Sequence, residues 1–341
     1  MIRQTTIKEG LAYRKRRAMI VLIVLLTGTL SLCISTLMFG KDSYTLETII
    51  RVLLGEKVGK ANFPISSVRL PRMLSGLLVG FALAVAGNTF QTILRNSLAS
   101  PDVIGISTST SAAGVFCILV LGMSGPSVSV CATIFGIVVA ALIYTLARGE
   151  IFNNNRLILI GIGIQTMMSA AISYIMIHAD SYDIPAAMRW LNGSLNGVQM
   201  KNIPALFTVT VIFGGMILFF ERDLKMMELG EALSVTLGVR TDLVRMLLIV
   251  SAVFLIAFST SVTGPIAFVA FLSGPIAKRL VGTGSRNLLI SGLVGACLVL
   301  LSEMIGQFAL NYRYPVGVIT GILGAPYLLF LLIRMNKKGG V

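Results

Sequence analysis

Charge is scarce in this sequence: Asp, Glu, Lys and Arg make up 12% of its 341 residues, about half of the roughly 25% usual in a soluble domain. Hydrophobic residues reach 55%, more apolar surface than one soluble core can bury, which excludes an ordinary soluble globular class. Histidine occurs once, as His178 at the end of an apolar run near Asp180. A lone histidine leaves no catalytic triad, and neither H-E-x-x-H nor G-x-S-x-G is present. It also denies a metal site its usual companions, so His178 reads as an interfacial residue. The four cysteines, Cys33, Cys117, Cys131 and Cys297, lie inside apolar stretches without C-x-x-C spacing and read as small hydrophobes. A phosphate-binding G-x-x-x-x-G-K-[ST] loop is missing too: Asp42 follows Gly40-Lys41, and Ala61 follows Gly59-Lys60. The chain therefore has no means of its own to cradle a nucleotide in that manner. No cofactor and no catalytic residue is implied.

What remains is long apolar runs. A helix crossing a hydrocarbon core of about 30 Å needs about 20 mainly apolar residues. Ten segments meet or approach that length: 18–39, 73–94, 103–123, 126–147, 157–179, 203–221, 243–262, 264–281, 287–310 and 316–334. The expected fold is all-α, a polytopic membrane protein of about ten transmembrane helices. The first run follows Arg14, Lys15, Arg16 and Arg17. It is longer than a signal-peptide core of about 7–15 residues and lacks an Ala-x-Ala site, so it reads as a retained helix with its N-terminus inside.

Ten spans would put both termini on one side, and the loop charges agree. With the N-terminus cytoplasmic, 19 of the 28 basic residues fall on inner segments and 9 on outer ones, the bias expected of cytoplasmic loops. The net charge of +14 thus reads as membrane orientation beside lipid headgroups, with no nucleic-acid partner. The domain plan is a cytoplasmic tail over 1–17, a transmembrane body over 18–334 and a cytoplasmic tail over 335–341.

Polar features inside this frame are few. The outer loop 40–64 is long enough for a short surface helix. The inner loop 222–242 contains Glu231-Ala-Leu-Ser-Val-Thr-Leu-Gly238, a short helical run ended by glycine; it is either a passive connector or a docking element. Glu303 is the main intramembrane carboxylate, paired near a helix end or functional. A proton-coupled transporter would need more such groups. The run 264–281 carries Pro265 and Pro275, and broken backbone at membrane depth hints at a transport pathway. Small residues crowd the second run (Gly76, Gly80, Ala82, Ala84, Ala86, Gly87) and recur in the fifth (Gly161, Gly163), and fit close helix packing.

Four motifs carry a resemblance. They are Arg69-Leu-Pro-Arg72 leading through Gly80–Gly87 and Gln91 into Arg95-Asn-Ser-Leu-Ala-Ser-Pro-Asp-Val-Ile-Gly105; the loop end Thr236-Leu-Gly-Val239; Thr263-Gly-Pro-Ile-Ala-Phe-Val269; and Tyr314-Pro-Val-Gly-Val-Ile-Thr-Gly-Ile-Leu-Gly-Ala-Pro326. In order and spacing the chain resembles FecCD-type permeases of bacterial ABC importers for iron–siderophores, haem and cobalamin. The resemblance implies a ten-helix subunit in the bacterial cytoplasmic membrane, paired with a second permease. Two cytoplasmic ATPases would drive it, and an extracellular or periplasmic substrate-binding protein would feed it. A ferric siderophore is the favoured cargo, with haem or cobalamin as alternatives.

The resemblance also assigns roles. Arg69 and Arg72, with Arg313 as a looser match, would dock the binding protein at the outer rim; the alternative is that the first two merely anchor a helix end at the headgroups. Glu228, Leu229, Gly230, Glu231, Leu233, Leu237 and Gly238 would meet the ATPase. Asn153, Asn154 and Asn155 fall near the inner gate, and helices five, eight and ten would line the pathway. One departure stands out: Gly274-Pro-Ile-Ala-Lys-Arg279 lacks the histidine that many members carry after the proline. Such variation suits one half of a heterodimer.

Overall fold

The computed structural model describes residues 7–97, 105–147, 154–282, 287–309 and 312–337. Every regular element among them is helical. Helix α1 (Ile7–Met38) is followed by the short α2 (Leu46–Leu53) and a π-helical turn (Phe63–Arg69) that feeds α3 (Leu70–Ile93). Then come α4 (Ile106–Leu119), α5 (Pro126–Ala147), α6 (Asn154–His178) and α7 (Ile184–Leu191). Helices α8 (Ile203–Val209) and α9 (Gly215–Phe219) are one rod with a π-helical stretch, Thr210–Gly214, between them. Two short helices, α10 (Glu221–Glu228) and α11 (Glu231–Thr236), precede α12 (Thr241–Thr263), α13 (Val269–Val281), α14 (Leu288–Phe308) and α15 (Val316–Lys337).

Seven of these rods are long and apolar enough to cross a membrane, while α4 and the Val316–Phe330 part of α15 are shorter apolar helices. They form a multi-pass bundle in which apolar side chains point outward as well as inward. Val24, Leu30, Leu159 and Ile177 are all exposed, as expected where lipid or another apolar chain replaces water. The apolar runs 73–94, 126–147 and 243–262 match helices closely. The run 264–281 is helical only from Val269. Before it, Gly264 and Phe268 both take positive φ, 71° and 64°, so this segment breaks where its sequence carries Gly264-Pro265.

The packing core is α3. Its sequence places Gly76, Gly80, Ala84 and Gly87 at three- and four-residue spacing, so one face has almost no side chain. Along that face α14 lies in contact: a Cβ on Gly80 would stand 2.5 Å from the carbonyl oxygen of Gly295, and one on Gly295 would collide with the carbonyl of Gly80. Ser291 Oγ donates to the Ala84 carbonyl at 3.3 Å. Further along, Gly87 meets the Ala270 backbone of α13 in the same way. Backbones this close maximise dispersion contacts, the main attraction left when lipid is as apolar as leucine.

Candidate functional site

The bundle has two polar ends. One is built around α10 and α11, the other around α7 and the start of α15, and α3 and α14 run between them in opposite directions.

At the α7 end, Arg69 is buried. Its guanidinium donates to the carbonyls of Leu37 (2.8 Å), Met38 (3.0 Å) and Asp42 (2.5 Å) and sits 4.7 Å over the ring of Tyr44. An arginine closing the carbonyl end of α1 satisfies acceptors that the helix leaves open. Arg72 is buried as well: Nη2 donates to Asn196 Oδ1 at 2.7 Å, and Nε lies 3.5 Å from Glu303 Oε1. Gln307, one turn further along α14, donates to the same carboxylate oxygen. Arg313 is exposed. Of the three arginines, then, two are engaged inside the chain and Arg313 faces outward.

The same end holds a vestibule of about 480 Å³, lined by Asp183, Arg189, Asn196, Gln199, Ser129 and Thr263 among others. Two of its lining residues, Ser194 and Thr263, belong to a knot where three segments meet. Ser194 N–H donates to the Thr263 carbonyl at 2.7 Å and Gly317 N–H to the Gly193 carbonyl at 3.0 Å. Gly193 and Gly264 both have positive φ and abut one another's neighbouring backbone, so a side chain at either would collide with a carbonyl. The helical path is broken here so that three segments can share backbone hydrogen bonds.

At the other end, α10 and α11 meet at Gly230, whose φ of 122° and ψ of 152° make the corner, a conformation in which glycine alone is comfortable. Ser234 Oγ ties the two helices by donating to the Met226 and Gly230 carbonyls, at 2.8 and 2.5 Å. Gly238, with φ 86°, closes α11. Leu229, Leu233, Val235 and Leu237 are all more than half exposed. Four large apolar side chains therefore project from a short polar lobe, away from the long apolar helices.

That lobe is bolted to the bundle. Arg95 Nη2 donates to the Met227 carbonyl at 3.0 Å, and Arg95 itself takes φ 50° at the end of α3. Glu228 pairs with Lys278 of α13 at 3.2 Å, and Glu231 with Arg245 of α12 at 3.2 Å. Glu221 is 7% exposed, and its Oε1 accepts the Leu288 N–H at 3.0 Å, capping α14 from outside. The sequence reading passed over Glu221, Asn196 and Arg245. The only trace of Glu221 was an acid at the end of an apolar run, and its partner lies 67 positions away.

Asn154 opens α6, and Asn155 is exposed beside it; Asn153 and the tail residues 1–6 and 338–341 lie outside the described residues. Among the described residues, no group of three or more His, Cys, Asp or Glu comes together as a metal site would need.

Membrane-long apolar helices with outward apolar faces, and ion pairs that among the described residues gather at the two ends, define a multi-pass membrane protein. The chain belongs to the FecCD transport family, whose pattern it matches over residues 19–334. It is 32% identical to the Escherichia coli ferric enterobactin transport system permease protein FepG, over 96% of this chain and 99% of that one. It is 31% identical to the Bacillus subtilis Fe(3+)-citrate import system permease protein YfmE, over 95% and 98%. In fold it is similar to a metal-chelate type ABC transporter solved in an inward-facing conformation: TM-score 0.82, 26% identity, 92% of this chain and 99% of that one.

Proposed function

We propose that this chain is one of two permeases of an ATP-driven importer for a ferric siderophore, crossing the bacterial cytoplasmic membrane ten times with both termini inside. The observation that carries the reading is the α10–α11 lobe. Exposed leucines at 229, 233 and 237, on a polar lobe tied by side chains to α3, α12, α13 and α14, suit a cleft on a soluble ATPase, and the sequence has no phosphate-binding loop of its own. Residues 228–238 would then transmit the ATPase's motion. The opposite rim would receive the substrate-binding protein: Arg313 supplies the outward charge, while Arg69 and Arg72 hold the rim in shape. The largely exposed α6, with Asn153, Asn154 and Asn155 at its cytoplasmic start, would line the pathway and its inner gate. The siderophore cargo is supported by the relatives' ferric enterobactin and ferric citrate. A proton-coupled carrier is disfavoured, since Glu303 is held by Arg72 and Gln307.

Deleting the gene is expected to abolish uptake of one labelled ferric siderophore and spare other iron sources. Normal uptake of every ferric chelate would sink the reading. Within the importer, Arg313→Glu is expected to slow uptake about three- to tenfold at unchanged membrane abundance, because a rim charge acts mainly on steering and register. The deficit should shrink as salt screens the charge. Uptake equal to that of the native chain would remove Arg313 from the rim.

A further inference from the structure

We propose that the paired helices α3 and α14 form a strut carrying displacement between the α10–α11 lobe and the α7 rim, and that Glu221 is the positioning residue at its lobe-side joint. The inference rests on the importer reading for its biological meaning, and on geometry for its mechanics.

The strut is fastened at both ends by side chains rather than by continuous chain. At the lobe, beside the Glu228–Lys278 contact to α13, two groups tie α10 to the strut: Arg95, at the end of α3, reaches the Met227 carbonyl, and Glu221 of α10 itself accepts the first amide of α14, the Leu288 N–H, at 3.0 Å. A carboxylate at a helix N-terminus faces unpaired amides and the positive end of the helix dipole. This bond therefore resists separation of α10 from α14. Asn287, the residue at the helix start, makes no side-chain cap, which leaves that role to Glu221. At the rim, Glu303 near the other end of α14 meets Arg72 near the start of α3, and Arg72 goes on to Asn196 in the segment after α7.

Between these fastenings the two helices cannot slide freely. α14 has 21 residues, about 31 Å at roughly 1.5 Å per residue. Along it the Gly80–Gly295 contact puts backbone against backbone, and close-packed interiors transmit strain rather than absorb it. A cavity of about 290 Å³ lies beside Glu221, bordered by Leu224, Glu228, Lys278, Asn287 and Leu288, so the lobe has room to move about this joint. A capping carboxylate at one end, a close-packed pair in the middle and an ion pair at the other end make a mechanical linkage. A ligand at either end that favours one lobe position would bias the other end reciprocally.

Two measurements test this. The first uses the purified permease and hydrogen exchange. Glu221→Ala is expected to speed exchange at residues 288–291 by tenfold or more, and also to raise it at 303–308, across the membrane; Glu221→Gln, which keeps a carbonyl acceptor, should largely restore protection at both ends. Exchange confined to the first turn of α14 overturns the strut, as does a Gln variant as damaged as Ala. The second uses the assembled importer in nanodiscs and reads the ratio of ATP hydrolysis with and without binding protein. Glu221→Ala, and separately Arg72→Met with Glu303→Leu, should each cut that ratio about fivefold, and their combination should be no worse than either alone. Losses that multiply mean independent routes and overturn the proposal. If the native assembly shows no stimulation while exchange responds at both ends, the importer reading fails and the strut stands.

Discussion

Replacing Gly80 with valine is expected to remove nearly all folded protein from the membrane. The Cβ alone would sit 2.5 Å from the Gly295 carbonyl oxygen and 2.7 Å from the Ala296 Cα, and both neighbours are backbone atoms that no rotamer change can move aside. Two γ-methyl groups then add volume to a contact with no free space. Overpacking a good core costs about 1–3 kcal/mol when side chains can shift; here α14 must move as a body, so about 3 kcal/mol or more is expected. Moving α14 also pulls at the Ser291–Ala84 and Arg72–Glu303 contacts along the same seam. Gly163 is the internal control, because a Cβ there meets nothing within 4 Å. Gly163→Val should therefore leave the melting temperature of the purified chain almost unchanged. The check is membrane abundance and thermal melting of both variants in one detergent. Gly80→Val at native abundance would show that α3 and α14 are not packed through glycine.

That contrast shows how much was legible beforehand. Apolar run length is a property of each segment alone, so the positions of α1, α3, α5, α12 and α14 follow from counting, and the Gly-Pro break before α13 follows from backbone chemistry. The glycine pattern on α3 announced close packing without naming a partner, since nothing local distinguishes Gly80, which meets α14, from Gly87, which meets α13. The lobe at 222–242 was readable from its polarity and its closing glycine; α11 falls inside that loop, while α10 starts one residue before it, at Glu221. What could not be read was pairing. Arg69 and Arg72 look alike in the sequence, two basic residues at a helix start, yet one closes α1 by binding carbonyls 27 to 32 positions away and the other meets Asn196 and Glu303. An arginine's exposure is set by what folds against it, and that information lies in the rest of the chain. Glu221 was missed for the same reason, because a cap donated from a distant helix leaves no spacing signal.

The second large effect is expected at the Arg72–Glu303 pair. Their side chains are 9% and 7% exposed, so removing one partner leaves the other charge buried without compensation. Breaking such a pair costs about 3–5 kcal/mol, whereas replacing both members with apolar residues of similar volume is often neutral or stabilising. Arg72→Ala should therefore lower thermal stability sharply and reduce membrane abundance several-fold. Arg72→Met combined with Glu303→Leu should recover most of both, although Asn196 and Gln307 lose a partner. This asymmetry changes how the rim is tested for docking. Reversing the charge at Arg72 would set two carboxylates against each other inside the protein, and a fall in uptake would report misfolding as readily as lost docking. The exposed Arg313 reads the rim cleanly, and the neutralised pair reads whether the rim needs a buried charge at all. An Arg72→Ala variant that melts with the native chain would mean that Glu303 is protonated or hydrated in the membrane, and the ion pair would lose its structural role.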